Sequence, residues 1–110
     1  MSVRVLCTAT IAPEHQAAFE DAYWQVTAKV QGTPGHVRDE LLRSAEDGTT
    51  YLLIAEWETG EKFRAWADDP RHIQDAAPMF PYWAGTFQRH VYQTCPAVGR
   101  EGGTDDGGRT

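Results

Sequence analysis

HVRDELLRSAEDGTTYLLIAEWE, His36 to Glu58, is the stretch from which the fold can be read. HVRDELLRSA (His36–Ala45) and TYLLIAEWE (Thr50–Glu58) flank Glu46-Asp47-Gly48-Thr49, a polar connection with Asp-Gly at its centre. Asp-Gly supplies the backbone that a tight reversal between twisted strands needs, so the two runs are expected to pair as a hairpin. Upstream, VRVLCTATI (Val3–Ile11) is rich in β-branched residues with rough alternation and reads as a strand stopped by Ala12-Pro13. Pro13 suits the first turn of a helix, where its missing N–H costs nothing. From there Phe19, Tyr23, Val26 and Val30 recur at intervals of four, three and four, one apolar stripe on a 3.6-residue period. Gly32 ends the helix and Thr33-Pro34-Gly35 makes the turn.

Downstream of the hairpin, Thr59 can cap a helix carrying Phe63, Trp66 and Ala67 on one side. Asp69-Pro70 restarts a short helix that Pro78 ends, and the aromatic knot PMFPYW leads to a last strand, TFQRHVYQT (Thr86–Thr94). The closing PAVGREGGTDDGGRT has five glycines in fifteen residues and reads as a mobile tail. Residues 1–95 are thus expected to form a single domain, with 96–110 as a Gly-rich C-terminal tail. The element order is that of an α+β, ferredoxin-like β-α-β-β-α-β fold, a four-stranded antiparallel sheet with helices on one face. A chain this short has no helices left for the other face. The simplest cover is a second copy, sheet against sheet, closing a homodimeric α+β barrel.

Bulk properties narrow the function classes. A chain of 110 residues buries only about two-thirds of its unfolded surface, enough for one thin core. No apolar run approaches the roughly 18 residues of a membrane helix. MSVRVLCTATIAPEH lacks the basic region and apolar core of a signal peptide, so a cytoplasmic location is expected. Cys7 and Cys95 fit neither a disulfide scaffold nor a C-x-x-C motif and read as reduced thiols. A net charge of −6 argues against nucleic acid and against an anionic membrane surface. The expected partner is a small molecule or another copy of the chain.

Two tryptophans, Trp57 and Trp66, stand nine residues apart where strand gives way to helix. Alternation puts Tyr51, Leu53, Ala55 and Trp57 on one face of the third strand and Leu52, Ile54 and Glu56 on the other. Trp57 can stack on a planar ligand and donate its indole N–H, while Trp66, one turn past Phe63, closes the same end; plain core packing is the alternative for both. Tyr23, Tyr51, Phe63, Phe80 and Trp83 extend the aromatic wall. Met79, Phe80, Tyr82 and Trp83 read as a stiffened lid or as simple core closure. Trp24 lies far around its helix from the apolar stripe and calls for a contact: the PMFPYW segment, the tail, a partner subunit or a ligand lid. His72 and His36 lie where they could border a cavity and move protons, with surface or capping use as the alternative; His15 reads as solvated, and the face of His90 is open. Arg43 shares a strand face with Asp39 and Leu41 and can hold an oxyanion or a cross-strand ion pair. No carboxylate–histidine cluster shows metal-ligand spacing.

These residues carry a resemblance. PGHVRDELLRSAEDGTTYLLIAEWETGEKFRAWADDPRH, Pro34 to His72, closely resembles the antibiotic biosynthesis monooxygenase family of dimeric α+β barrels. Its marks are Pro34-Gly35, the ELLRS of Glu40–Ser44, the EWE of Glu56–Glu58, the Phe-x-x-Trp of Phe63–Trp66, and Pro70 with His72. Haem-degrading members place a ligating histidine where this chain has Ala76, and an asparagine on the first strand that VRVLCTATI lacks, which sets haem degradation aside. Quinone-forming members resemble this chain at Trp57 but carry asparagine and tyrosine where it has Leu53 and Phe63. The resemblance implies a monooxygenase acting on an aromatic polyketide phenol or anthrone in antibiotic biosynthesis. Dioxygen is the co-substrate, and no metal or prosthetic group is needed. A variant uses reduced flavin, FMNH2 or FADH2, from a separate flavin reductase for ring modification or cleavage. A non-oxidative binding or cyclase-like protein is the reading from another class.

Overall fold

In the computed structural model, which describes residues 2–83 and 85–95, the chain runs β1 (Val3–Thr10), α1 (Gln16–Val30), β2 (His36–Arg43), β3 (Thr50–Trp57), α2 (Gly60–Ala67), α3 (Pro70–Ala76), α4 (Phe80–Trp83) and β4 (Gln88–Gln93). The segment expected to be a tail, 96–110, lies outside the described residues. The strands form one antiparallel sheet in the order β2-β3-β1-β4. This is the ferredoxin-like α+β fold that the hairpin and its flanking elements imply.

Local departures from the expected boundaries have local causes. Pro13 opens a 3-10 turn, Pro13–His15, in which the His15 N–H reaches Ala12 O at 2.9 Å, and the α-helix proper starts at Gln16. β1 stops at Thr10, and the fully buried Ile11 donates its N–H to Thr49 O at 2.9 Å. β4 is shorter than TFQRHVYQT because the N–H groups of Thr86 and Phe87 both turn back to Trp83 O at 3.1 Å. The segment between Pro78 and Trp83 is helical, with Met79 and Trp83 in the core, as the core-closure alternative has it, and Phe80 exposed. Thr59 and Asp69 cap α2 and α3 as their side chains allow, accepting from Lys62 N and Arg71 N. Asp47 ties the hairpin loop by accepting from the N–H groups of Thr49 (2.7 Å) and Thr50 (2.8 Å).

The helices cover one sheet face. Val3, Val5, Cys7 and Ala9 of β1 point at them with Tyr51, Leu53, Ala55 and Trp57 of β3, and α1 buries Phe19, Ala22, Tyr23, Val26, Thr27 and Val30 against this layer. On the opposite face Leu6, Leu52 and Ile54 are half-buried and Leu42 is 41% exposed. Glu56 at one end of that face holds Arg38 (3.1 Å) and Arg4 (3.5 Å). No helix among the described residues is long and apolar enough to cross a membrane.

Gly35, between α1 and β2, shows why the Pro34-Gly35 turn takes no larger residue. Its φ is +91°, and a Cβ there would stand 2.5 Å from Lys62 Cδ and 2.6 Å from Lys62 Cβ. Gly48 has φ +71° with open space around it. Gly48→Ala is therefore expected to cost about 1–2 kcal/mol for the left-handed backbone alone. Gly35→Ala should cost about 2–5 kcal/mol, because overpacking adds to it. Urea unfolding of the two variants measures the difference; equal costs would mean that α2 yields freely at Lys62.

Candidate functional site

Large side chains prop the helices off the sheet at two places. Phe19 meets Tyr51 edge-on at 5.0 Å under the N-terminal half of α1. Under α2, Trp57 packs against Phe63 at 5.7 Å and Trp66 at 5.2 Å. Between these props the layer is built from smaller residues, Cys7, Thr27, Ala55 and Ala76, and a cavity of about 300 Å³ remains. Its wall comes from every layer: Tyr23 and Val26 of α1, Leu53 and Trp57 of β3, Phe63 and Trp66 of α2, His72 of α3, Phe80 and Trp83 of α4, with Asp39 of β2 and Arg89 of β4 at the edges.

The wall is mostly apolar, yet Tyr23 Oη, Trp57 Nε1 and His72 Nδ1 are buried without hydrogen-bond partners. Leaving such a group unpaired costs about 1–3 kcal/mol, so native folds keep few of them without a reason. Burial first, then the Asp39 carboxylate, push the Tyr23 phenol up to about 12. His72 is held below its usual value by burial and then by the Arg89 guanidinium, against the opposing pull of Asp75 and Asp69. It is therefore the neutral imidazole near pH 7, with a nitrogen able to accept a proton. Burial likewise pushes the Cys7 thiol up to about 11, which makes it an inert wall group.

His72 sits with its ring centroid 3.7 Å from that of Trp66, and both residues also line a groove on the outside of α2 and α3. Standing between the cavity and that groove, they are its candidate mouth. Arg89 places its guanidinium carbon 5.5 Å from the centre of the Phe63 ring, a cation–π contact at the cavity edge.

Of the residues singled out in the sequence, Trp57, Trp66, Phe63, Tyr23, Phe80, Trp83 and His72 line the cavity. Tyr51, Arg43 and His36 stand outside its lining. Tyr51 has the expected face but the far end of β3, where its hydroxyl donates to Glu20 at 2.5 Å. Arg43 pairs opposite Tyr51 and donates to Gln16 Oε1 at 3.0 Å, so no oxyanion in the cavity meets it. His36 packs edge-on to Trp57 at 5.2 Å but opens to an outer groove beside Trp24, Val37 and Arg38. Trp24 itself is 57% exposed in that groove rather than packed on the PMFPYW segment, with Tyr23 as its aromatic neighbour at 4.9 Å. His90 faces away from the helices and His15 is exposed. Arg89 and Asp39 are the cavity residues that strand patterning does not reveal; Arg89 owes its place to the β4 register, which sets it opposite Cys7. Among the described residues no cluster of three or more His, Cys, Asp or Glu is placed to hold a metal ion.

Known proteins resemble this chain in sequence and in fold. The chain is 38% identical over 84 residues to protein SchA of Streptomyces halstedii, covering 76% of this chain and 22% of that protein. It is 35% identical over 107 residues to a 42.8 kDa protein in the whiE locus of Streptomyces coelicolor, covering 97% of this chain and 25% of that one. It thus spans about a quarter of the length of these relatives. In fold it resembles a mutant of SnoaB, a cofactor-independent oxygenase from Streptomyces nogalater, with a TM-score of 0.76 and 23% identity over 88% of this chain and 96% of that one. Residues 2–77, well over half of the sequence, match the family model described as antibiotic biosynthesis monooxygenase, and to that family the chain belongs.

Proposed function

We propose that this member of the family oxidises a polycyclic aromatic phenol or anthrone-type intermediate with dioxygen, without a metal or a bound prosthetic group. The observation that carries the reading is the unpaired trio of Tyr23 Oη, Trp57 Nε1 and His72 Nδ1 in a mostly apolar wall. A flat aromatic satisfies the wall, and oxygen atoms on its rim satisfy the trio. In this chemistry the substrate's anion reduces dioxygen itself, and loss of water from the resulting hydroperoxide leaves a quinone. The protein supplies a dry site, aligned polar groups and proton transfer. Trp57 and Tyr23 hold the oxygen of the ring system, Trp66, Phe63, Phe80 and Trp83 hold its faces, and His72 at the mouth handles a proton as the hydroperoxide breaks down.

Flavin fits the cavity less well. About 300 Å³ lies at the small end of ligand sites, and among the described lining residues Arg89 is the only standing cation for a nucleotide phosphate. The half-buried leucines and Ile54 of the uncovered sheet face support a homodimer closed sheet to sheet, and its test is the mass in solution. One observation favours a second reading, a non-oxidative binding or cyclase-like protein: Leu53 and Phe63, both in the cavity wall, offer the ligand no hydrogen bond.

Dioxygen consumption by dialysed protein with anthrone decides between these readings. Uptake without flavin is the expected result. Uptake only with added reduced flavin would move the reading to the flavin-dependent variant, and tight binding without uptake would favour the binder. Trp57→Phe should keep the aromatic surface, lose the N–H and lower turnover about tenfold or more; in a mere binder only affinity would fall. Tyr23→Phe should leave the ligand-free fold as stable as before or firmer, because it removes an unpaired buried hydroxyl, while weakening ligand binding about 3- to 10-fold.

His72 generates a pH prediction. Its pKa is lowered on folding, so the neutral form is the one the fold prefers. The stability this confers is present above the ordinary value of about 6.5 and is lost as the pH falls through the folded value. Imidazolium quenches indole emission, and Trp66 is in contact with this ring. Tryptophan fluorescence should therefore drop on acidification with a midpoint below 6.5, and His72→Gln should abolish the step. A midpoint at or above 6.5 would count against a neutral His72 at the mouth.

A further inference from the structure

Asp39 stands where the cavity and the outer groove meet, and it is a wall residue of both. It lies on the helix-facing side of the edge strand β2, just beyond a bulge between His36 and Arg38, with its side chain 14% exposed. Thr27 on α1 donates its hydroxyl to Asp39 Oδ2. On the other carboxylate oxygen, His36 Nε2 stands 3.0 Å from Oδ1 without completing a hydrogen bond, and the His36 side chain is only 5% exposed. His36 in turn lines the groove that leads to solvent. Other titratable groups near Asp39 are the Tyr23 phenol from α1 and Glu40, the next residue on β2; Ala55, opposite on β3, carries none.

A hydrophobic cavity rarely spends a carboxylate on one hydroxyl from a helix, since an apolar pair would hold strand to helix as well. Building on the reading of the cavity as a site for an ionisable aromatic, we propose that Asp39 is the base that takes the ligand's acidic proton and that His36 carries it to the outer groove. The bond broken is the O–H of a phenol or the C–H of its keto tautomer, and the electron pair stays on the ring system. The bond formed is O–H on Asp39, whose proton then passes to His36 Nε2 and out, returning the carboxylate. Asp39 touches the ligand; His36 acts through Asp39 and is its positioning and relay partner.

Proton abstraction can be watched without oxidation. Under anaerobic conditions in deuterated buffer, the protein should speed deuterium exchange into the acidic methylene of anthrone above the buffer blank. Asp39→Asn keeps an oxygen for Thr27, so a merely structural role would survive it; the expected result is a loss of about 100-fold or more in exchange, with anthrone still bound by tryptophan quenching. Asp39→Ala should be equally slow and recover with added formate, which supplies the missing base. His36→Gln should slow exchange less than Asp39→Asn does and alter its pH profile. Exchange as fast in Asp39→Asn as in the native protein, or no exchange by the native protein with anthrone bound, overturns the proposal. Oxygen uptake in air is scored separately: exchange without uptake would sink the oxygenase reading and leave the role of Asp39 standing.

Discussion

The separation between one helical layer and one sheet governs the rest of this structure. Side chains at the two props set that separation: Phe19 on Tyr51 at one end, and Trp57 under Phe63 and Trp66 at the other. The residues between them are too small to fill the gap. Trp57 and Tyr51 are each 1% exposed and Phe19 is fully buried, so neither prop can swing aside to close it. Were the gap of about 300 Å³ a sealed, empty void, the usual penalty of about 24 cal/mol per Å³ would make it cost about 7 kcal/mol, comparable to the whole stability of a small domain. An opening at Trp66 and His72 would let solvent share the space and relieve that penalty. What stays unrelieved is the set of unpaired polar atoms, and those are what a ligand can satisfy.

The same constraint explains which parts of the site could be read from the sequence. A hairpin signal, an apolar stripe and two caps are local patterns, and they lead to the element order because backbone geometry acts over a few residues. Alternation along β3 correctly assigns faces, so Trp57 is recognisable as an inward residue. It says nothing of distance along the strand, which is why Tyr51 shares the face of Trp57 but belongs to the other prop. Arg43 and His36 fail for the same reason: each is opposite a β3 residue of known face, yet one lies beyond the end of the cavity and the other behind Trp57. Arg89 and Asp39 are legible only once the register and the outer strands are known. A polar residue on an edge strand looks like a solvated one until, as at Asp39, a helix side chain is seen to reach it.

The cavity wall divides by chemistry. Trp66 and His72 present an indole and a neutral imidazole, neither of which brings a charge to desolvate. Asp39 and Thr27 form a polar corner on the β2 side, in touch with the outer groove. Arg89 sits at the β4 edge, where its charge adds to burial in holding His72 below its usual value while its guanidinium carbon stands 5.5 Å from the Phe63 ring centre. An anion generated in such a space meets an indole N–H, a phenol O–H and a guanidinium near its rim, with little water to compete.

That division bears on why a base would be set on the β2 side rather than beside Trp66 and His72. On the proposed reading, a proton released beside Trp66 and His72 would have to leave past the bound ligand. Released to Asp39, it has its own exit through His36, and the aromatic stack of Trp57, Phe63 and Trp66 need not open during the reaction. The bulge beside His36 serves this geometry: it offsets the register of β2 so that His36 and Asp39, three residues apart, bring Nε2 within 3.0 Å of Oδ1 on one side of the strand. In regular alternation residues three apart point to opposite faces and no such contact forms. A one-residue irregularity on an edge strand thereby gives an apolar cavity a proton path without widening its mouth.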